Sequence, residues 1–481
     1  MSLKKIILKN HLLIIVLAGL SIRLFFYFFG AKVYYGKPDF FLSGDTASWV
    51  KSIINLIEHG TYSVNLQKDT GIFFRPPGYS FFMGIFYLLS GKDIDLTYKI
   101  IIWVQILLDA VSIYLIYKIV NKVFANVKWA VIAALLYTFY PFIIVWTPII
   151  YAESVSVFFL VAGCWFFVND KMKHHHLLSG LFIGIATLTR LQIIFLFPAV
   201  CLAMIFHYRN DFKIFIRFAL PFTIAFMLSY GLWPARNYFL HNTVMFSQDL
   251  SAIESWDKDI MGFRDYIYSV KTDWDPQMTQ IMKGEKVQWP AASYIVPEDT
   301  VLLNEAARLC HECGLGFNSF MKNSGLRKGN LPRDSSCSVQ IAALFKTLRQ
   351  NQIEHNYVNV NLWVPLGNLK KALFKSGLYN PTNKIVNLVS TLLFGYRTVL
   401  LIIGLLGMFL YCFVHKRSSV FLNIIFLYFF FSYLSLSFVY RNMEMRFLIQ
   451  ADLLMLIPAA YVFTYVIEKY FIRKHKTEPA D

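Results

Sequence analysis

The chain has 481 residues, of which 57% are hydrophobic, 17% aromatic and only 16% charged, and its mean hydropathy is +0.49. Soluble domains usually carry roughly 25% charged residues, so this composition excludes an ordinary soluble protein and indicates a polytopic membrane protein. The net charge of +17 does not indicate nucleic-acid binding, because the Lys and Arg residues lie mainly at the ends of apolar segments, where lipid headgroups and membrane orientation account for them.

Ten apolar segments predict membrane-crossing helices, for which about 20 apolar residues are usual. In chain order they are residues 11–30, 96–119, 128–147, 149–168, 176–190, 191–207, 214–233, 386–414, 419–439 and 447–468. All basic clusters then fall on one side, and positive-inside bias makes that side, which holds both termini, cytoplasmic. The sequence therefore predicts an all-α integral protein of the inner membrane with about ten crossings.

Two shorter stretches in the first outer loop predict helices in the plane of the membrane interface. Residues 46–58 place Trp49, Ile53, Ile54 and Ile57 near helical spacing, and the apolar stretch 79–89 is too short to span.

A later polar segment has several turn signals and a helical pattern from about residue 298 to 325. We predict three parts: a transmembrane catalytic module in residues 1–235, a small, mainly helical extracytoplasmic domain in 236–385, and C-terminal transmembrane helices with a cytoplasmic tail in 386–481.

Asp45 follows Ser43 and Gly44 at the outer end of the first crossing. Its structural interpretation is a helix N-cap, where a carboxylate accepts backbone N–H bonds. Its functional interpretation is a general base held at the membrane surface by that cap. The two roles are compatible.

Several arginines lie on the same outer side and predict a phosphate site. Arg75 precedes a Pro-Pro turn, Arg236 ends the seventh crossing, and Arg441 and Arg446 join the ninth to the tenth. Guanidinium groups recognise phosphate through forked hydrogen bonds. Two alternatives remain open: Arg75 can snorkel to the membrane surface, and Arg446 can pair with Glu444.

Glu153 begins the fourth crossing at or just under the outer interface, where an unpaired carboxylate is costly. We expect it to be buried with an arginine or a polar ligand. Asp109, inside the second crossing, is interpreted as a group that packs within the helix bundle.

Three cysteines lie in the outer segment, which is the predicted extracytoplasmic domain of residues 236–385. Cys310 and Cys313 form a C-x2-C pair, and Cys337 follows. Zinc would need a fourth ligand such as His311, and a disulfide from Cys337 to one of the pair is the alternative in an oxidising compartment. We predict no metal at the catalytic site; a divalent metal is possible but not indicated.

Six motifs in order resemble the C-class (GT-C) membrane glycosyltransferases, in particular the protein-mannosyltransferase-like branch that includes the aminoarabinose transferases. They are Gly44-Asp45, Arg75-Pro76-Pro77-Gly78-Tyr79, Tyr151-Ala152-Glu153, Leu188-Thr189-Arg190, Trp233-Pro234-Ala235-Arg236-Asn237-Tyr238 and Glu444-Met445-Arg446-Phe447. The resemblance covers residues 1 to about 245 well. Many relatives have Arg-Pro where this chain has Arg190-Leu191 and Arg-Tyr-Arg where it has Met445-Arg446-Phe447.

The resemblance implies roles for the site residues. Asp45 is the base, Glu153 takes the place of a second acidic residue in the acceptor pocket, and Arg75, Arg236 and Arg446 lie near the donor phosphate. The residues expected to support them are Tyr79, Arg190, Asn237, Arg441 and Glu444.

The expected function is an inverting transfer of a sugar from a polyprenyl-phosphate donor, as co-substrate, to a lipid, glycan or protein acceptor at the outer face of the membrane. No cofactor is required, and the absence of a Gly-rich nucleotide loop from the sequence favours a lipid-carried donor. Membrane lipids and the lipid-linked sugar are the expected partners, with no nucleic acid. The alternatives are a polytopic lipid or glycan transporter and a lipid-linked glycan polymerase or ligase. The sequence identifies neither the sugar, the acceptor nor the oligomeric state.

Overall fold

A computed structural model of the protein describes residues 3–329, 335–374, 384–416, 419–441 and 444–472. Within these ranges the regular structure is helical and contains no strand, which confirms the predicted fold class. The basic residues Arg417, Arg473, Lys474 and Lys476, on which part of the orientation argument depends, lie outside the described residues.

All ten predicted crossings are helical. Seven are long and apolar enough to cross a membrane, namely Asn10–Tyr35, Ile94–Phe124, Leu191–Tyr208, Phe212–Ser229, Asn387–His415, Val420–Tyr440 and Ile449–Lys469. The other three are the shorter apolar helices Val127–Thr138, Ala152–Val168 and His175–Thr189. The third crossing is shorter than predicted because the chain leaves the helix at Phe139 and Pro141 begins a new turn.

The short helices pack among the long ones. Ala152–Val168 contacts both Ile94–Phe124 and His175–Thr189, and the latter contacts Phe212–Ser229. Their buried side chains belong to one large apolar core that also includes the helix Ile449–Val466. These helices therefore share one packed core.

The first outer loop contains the two predicted short helices, Thr46–His59 and Pro77–Leu89. They pack against each other, and Trp49 and Ile53 are buried with Tyr79 and Met83. The apolar stripe of the first helix thus faces protein. Its position relative to a membrane interface stays a prediction.

The outer segment is mainly helical, as expected. Its helices are Leu232–His241, Lys258–Val270, Gln277–Lys283, Asp299–Glu312, Leu315–Asn323, Ser335–His355 and Val364–Phe374. Residues between about 256 and 348 have an apolar core of their own, in which Phe263 contacts Phe317 and Phe345. The last helix packs instead through Ala372 into the large core. The three-part division at residues 235 and 385 stays a prediction.

A disulfide joins Cys313 to Cys337 in this outer core. It is the alternative to zinc that the sequence left open, and it uses two of the three cysteines among the candidate zinc ligands. Cys310 is a buried free thiol.

Two buried ion pairs join helices of the membrane part. Arg23 and Asp109 are 2.6 Å apart and Tyr137 donates to the same carboxylate; Arg397 and Asp452 are 2.7 Å apart. All four charged side chains are at most 2% exposed. Asp109 is therefore a packing group, as predicted, and each pair fixes the position of one helix against another.

Candidate active site

Asp45 lies just before the helix Thr46–His59, but its side chain does not cap that helix. Its carboxylate instead pairs with two guanidinium groups: Oδ1 lies 3.0 Å from Nη2 of Arg75, and Oδ2 lies 2.7 Å from Nη1 of Arg446. The predicted N-cap hydrogen bond is therefore wrong, although the position is the cap position. The side chain remains 31% exposed, so a substrate can reach it.

Arg75 is fixed by its surroundings. Its Nε donates to Ser48 Oγ at 2.9 Å, and its guanidinium carbon lies 4.7 Å from the ring centre of Trp49 and 4.9 Å from that of Phe74. The side chain is 8% exposed. A snorkelling arginine would keep its head in water, so that alternative is wrong.

The proline-glycine motif after Arg75 brings two parts of the site together. Pro77 begins a helix, a position that suits a residue without an N–H. A Cβ at Gly78 would lie 2.5 Å from the backbone carbon of Leu188. Glycine therefore permits this helix start to approach the chain just before Arg190.

Arg446 reaches two carboxylates. Its Nε lies 2.5 Å from Glu444 and its Nη1 lies 2.7 Å from Asp45. The pairing with Glu444 that the sequence left open is present, and the same guanidinium also reaches the predicted base. Tyr151 lies beneath it, with its ring centre 5.6 Å from the guanidinium carbon.

The electrostatics follow from this geometry. Burial alone would raise the pKa of Asp45, but Arg75 and Arg446 overcome that effect and lower it to about 2. Burial would lower the pKa of Arg446, but the carboxylates of Glu444 and Asp45 raise it. Asp45 is therefore ionised at neutral pH, and both arginines remain cationic beside it.

Tyr151 is a site residue that the sequence analysis did not single out. Its hydroxyl accepts the backbone N–H of Asp45 at 3.0 Å and lies 3.3 Å from Ser43 Oγ. It thus holds the chain on which Asp45 lies. The motif Tyr151-Ala152-Glu153 was the available signal, but only its carboxylate, Glu153, was predicted as a site residue.

Glu153 is fully buried and pairs with Arg190, which confirms the expectation of a buried arginine partner. Among the described residues, the second oxygen of Glu153 and the Nε of Arg190 have no hydrogen-bond partner. Arg190 also helps to lower the pKa of Asp45. The pair thus lies within electrostatic reach of Asp45, while no direct contact joins the two carboxylates.

Arg236 and Asn237 form a neighbouring cluster. Arg236 Nη1 donates to the carbonyl of Ile72 at 3.1 Å and to Asn237 Oδ1 at 2.8 Å. Asn237 is fully buried and donates to the carbonyl of Met245 at 3.1 Å. Arg236 forms no ion pair with any described residue, and the partners of Asp45 are Arg75 and Arg446 instead. The structure places Arg236 beside Ile72, three residues before Arg75.

Two other expected residues lie outside the Asp45 cluster. Tyr79 is fully buried and donates to Gln105 at 2.7 Å. Arg441 donates to the carbonyl of Phe438 at 3.2 Å and lines a separate cavity.

Across the described ranges, no group of three or more His, Cys, Asp or Glu side chains is arranged to hold a metal ion.

Residues 74–233 match the family model described as dolichyl-phosphate-mannose-protein mannosyltransferase. This range includes Arg75, Tyr79, Glu153 and Arg190. No curated protein sequence matches the chain.

Solved structures match the chain over nearly its whole length. The archaeal oligosaccharyltransferase AglB from Archaeoglobus fulgidus, in complex with an inhibitory peptide and a dolichol-phosphate, matches with a TM-score of 0.53 and 12% identity over 99% of this chain and 53% of that chain. The apo form of the A. fulgidus oligosaccharyltransferase matches with a TM-score of 0.52 and 14% identity over 97% and 52%. The chain therefore spans about half the length of these proteins.

A third structure, ArnT from Cupriavidus metallidurans bound to undecaprenyl phosphate, matches at 13% identity over 96% of this chain and 80% of that chain. Its TM-score of 0.36 is too low to support an argument. At 12% and 14% identity, the likeness to the two oligosaccharyltransferase structures shows the fold alone.

Proposed function

We propose that this chain, which has the fold of the GT-C membrane glycosyltransferases and matches their protein-mannosyltransferase family over residues 74–233, transfers a sugar from a polyprenyl-phosphate donor to an acceptor hydroxyl. The observation that carries the proposal is the partly exposed carboxylate of Asp45 between the guanidinium groups of Arg75 and Arg446. A base and two phosphate ligands within one hydrogen-bonded cluster are what such a transfer requires.

The reaction is a direct displacement. The acceptor oxygen forms a bond to the anomeric carbon while the bond from that carbon to the phosphate oxygen breaks, and the electron pair goes to the phosphate. Asp45 takes the proton of the acceptor hydroxyl. Arg75 and Arg446 stabilise the charge that develops on the departing phosphate. Such a displacement inverts the configuration at the anomeric carbon.

The pairing of Asp45 with both arginines gives donor binding a second effect. A carboxylate with a pKa of about 2 is a weak base. A donor phosphate that takes hydrogen bonds from Arg75 and Arg446 removes part of their attraction for Asp45, while burial continues to raise its pKa. The basicity of Asp45 therefore increases when the donor is bound.

The remaining residues position this cluster. Arg236 holds the carbonyl of Ile72 and so the chain that leads to Arg75. Tyr151 holds the backbone of Asp45. Arg190, which pairs with Glu153, adds a further positive charge near Asp45, and we assign Glu153 to the acceptor side of the site.

The lipid phosphate as donor is supported by the ligand named with the AglB structure, a dolichol-phosphate. The outer face of the inner membrane as the place of reaction is supported by the distribution of basic clusters. A divalent metal is not required by the proposal, because two arginines are available to neutralise the phosphate.

The test is mass spectrometry of lipids and glycans from cells that lack the gene and are complemented with the wild type or Asp45→Asn. One sugar should be missing from one product without the gene, restored by the wild type and not by Asp45→Asn. A set of products that is complete without the gene would contradict the enzyme and favour the transporter, and restoration by Asp45→Asn would contradict Asp45 as the base.

A further inference from the structure

A second cationic cavity lies where the outer segment meets the end of the ninth crossing. It has a volume of about 290 Å³. Three arginines from three separate elements line it: Arg264 from the helix Lys258–Val270, Arg349 from the helix Ser335–His355, and Arg441, which follows Tyr440. The function proposed above does not use this cavity.

The cavity has more positive than negative charge. Asp265 is the one carboxylate among the described residues that line it, and none of the three arginines forms an ion pair with any part of the chain that the structure describes. Their hydrogen bonds go to backbone carbonyls: Arg264 to Tyr440 at 3.4 Å, and Arg441 to Phe438 at 3.2 Å. The Nε of Arg264 is buried without a described partner.

The backbone and the like charge of Arg349 show that Arg441 is held in the cavity wall at a cost. Arg441 has a φ of 56°, in the left-handed region that non-glycine residues rarely adopt. Burial, and after it the nearby charge of Arg349, lower the pKa of Arg441. Guanidinium groups in this arrangement are stabilised by an anion that accepts hydrogen bonds from more than one of them.

The cavity is close to the Asp45 cluster. Arg441 is in its wall, and Glu444, three residues later, contacts Arg446. Three residues span at most about 11 Å between Cα atoms. Arg446 in turn contacts Asp45. Glu444 also lies within electrostatic range of Tyr268, which lines the cavity, so the cavity adjoins the Asp45 cluster.

We propose that Arg264, Arg349 and Arg441 form an acceptor subsite that binds a phosphate or carboxylate group of the acceptor, and so direct its hydroxyl to Asp45. The proposal rests on the proposed transferase function. The volume is slightly below the roughly 300–1,000 Å³ of pockets for whole small molecules, which suits one anionic group of a larger acceptor. The acceptor, and not a bilayer lipid, is assigned because two of the three arginines belong to the outer segment.

The first experiment measures anion binding and needs no sugar transfer. Inorganic pyrophosphate is titrated by phosphorus NMR into the full chain in nanodiscs of phosphatidylcholine. Arg349→Gln should weaken the binding by about tenfold or more, as expected for a lost charged hydrogen bond. Lys346→Gln is the matched control, because it removes the same charge from an exposed position on the same helix that does not line the cavity.

The Asp45 cluster offers pyrophosphate a second place, so Arg446→Gln is titrated in parallel. It should leave the binding that depends on Arg349 in place. Equal binding by the wild type and Arg349→Gln would overturn the subsite. In nanodiscs of phosphatidylglycerol the negative surface lowers the binding of pyrophosphate to both proteins, but the ratio between the wild-type and Arg349→Gln affinities should be unchanged. Loss of that difference there would mean that the cavity takes a bilayer headgroup, which overturns the assignment to the acceptor.

The second experiment measures transfer with a membrane extract as the titrated source of acceptor. Arg349→Gln should raise the extract concentration for half-maximal rate by about tenfold and leave the maximal rate within about twofold. An unchanged half-maximal concentration would contradict the subsite. If the wild type shows no transfer, the proposed function fails, whereas the pyrophosphate titration still decides whether the anion site exists.

Discussion

The guanidinium of Arg446 lies 2.7 Å from the carboxylate of Asp45, although 401 positions separate the two residues in the sequence. This contact joins the first outer loop to the turn between the ninth and tenth crossings. Because the same carboxylate also pairs with Arg75, the proposed base and the proposed phosphate ligands are each other's partners. With Glu444, which pairs with Arg446, the cluster has two carboxylates and two guanidinium groups. Its residues must therefore exchange partners when a donor phosphate enters.

Asp45→Asn should reduce sugar transfer by roughly 10²–10⁴-fold, because the amide cannot take the acceptor proton. Stability should fall by about 1–3 kcal/mol, because Arg446 keeps Glu444 but the largely buried Arg75 loses its carboxylate partner. The rate is measured in proteoliposomes with a synthetic polyprenyl-phosphate sugar pool, and the melting temperature in detergent reports folding.

The matched control for this variant is Asp69→Asn, which changes an exposed carboxylate of the same outer loop that forms no ion pair with a described residue. It should retain full activity. A folded Asp45→Asn protein with wild-type activity would remove Asp45 as the base.

Replacement of Arg446 should affect the donor site more than replacement of Arg236. Arg446→Ala loses a direct phosphate ligand and should lower kcat/KM by about 10²-fold or more, while Arg446→Lys keeps the charge but loses the forked geometry and should fall between. Arg236→Ala should cost less, because Arg236 acts through the carbonyl of Ile72. Steady-state kinetics with varied donor decide the order, and the reverse order would place Arg236 at the phosphate.

The pH dependence of kcat/KM, which reports the free enzyme, should show no acidic limb from Asp45 between about pH 5 and 8. Its pKa of about 2 lies below the ordinary 3.8, so its pairing contributes stability above about pH 4 that is lost as the pH falls toward 2. In Arg446→Gln the pKa should rise, since a lowering charge is removed and burial remains. If the wild type instead shows an acidic limb between about pH 5 and 8, and Arg446→Gln does not shift it, the pairing in solution is contradicted.

The buried pair of Glu153 and Arg190 offers a test of its own. Glu153→Gln leaves a buried cation without its partner and should destabilise the protein by about 3–5 kcal/mol. Glu153→Gln combined with Arg190→Gln should recover part of that loss. Chemical unfolding in detergent gives both values. A stable Glu153→Gln protein without activity would instead support a direct role in the acceptor pocket.

The topology is tested by reporter fusions at residue 300 and at the C-terminus. The distribution of basic clusters predicts opposite compartments, with the outer segment outside, since each Lys or Arg near an anionic surface contributes about 1 kcal/mol. A fusion after residue 208, in the turn between Leu191–Tyr208 and Phe212–Ser229, should report the cytoplasm and serves as an internal reference. The same compartment for residue 300 and the C-terminus would exclude ten crossings.

The sequence by itself determined the features that depend on local periodicity and composition. The apolar segments are the helices of the structure, the two short helices of the first outer loop are present, and the helical pattern from 298 to 325 corresponds to Asp299–Glu312 and Leu315–Asn323. Helix formation follows from apolar spacing over a few turns, which a single sequence displays. The resemblance in the order of motifs, and not spacing, assigned Asp45 as the base and placed Arg75, Arg236 and Arg446 at the donor phosphate.

Only the tertiary structure decided which charges are partners. Nothing in the spacing joins Asp45 to Arg446, separates Arg236 from them, or buries Arg23 with Asp109 and Arg397 with Asp452. The sequence favoured a cap for Asp45, because a cap needs only the next few residues, and the structure replaced it with two arginines from distant turns. The physical reason is that a charge near a low-dielectric interior takes the opposite charge that packing brings within hydrogen-bond distance, and packing is set by the whole bundle.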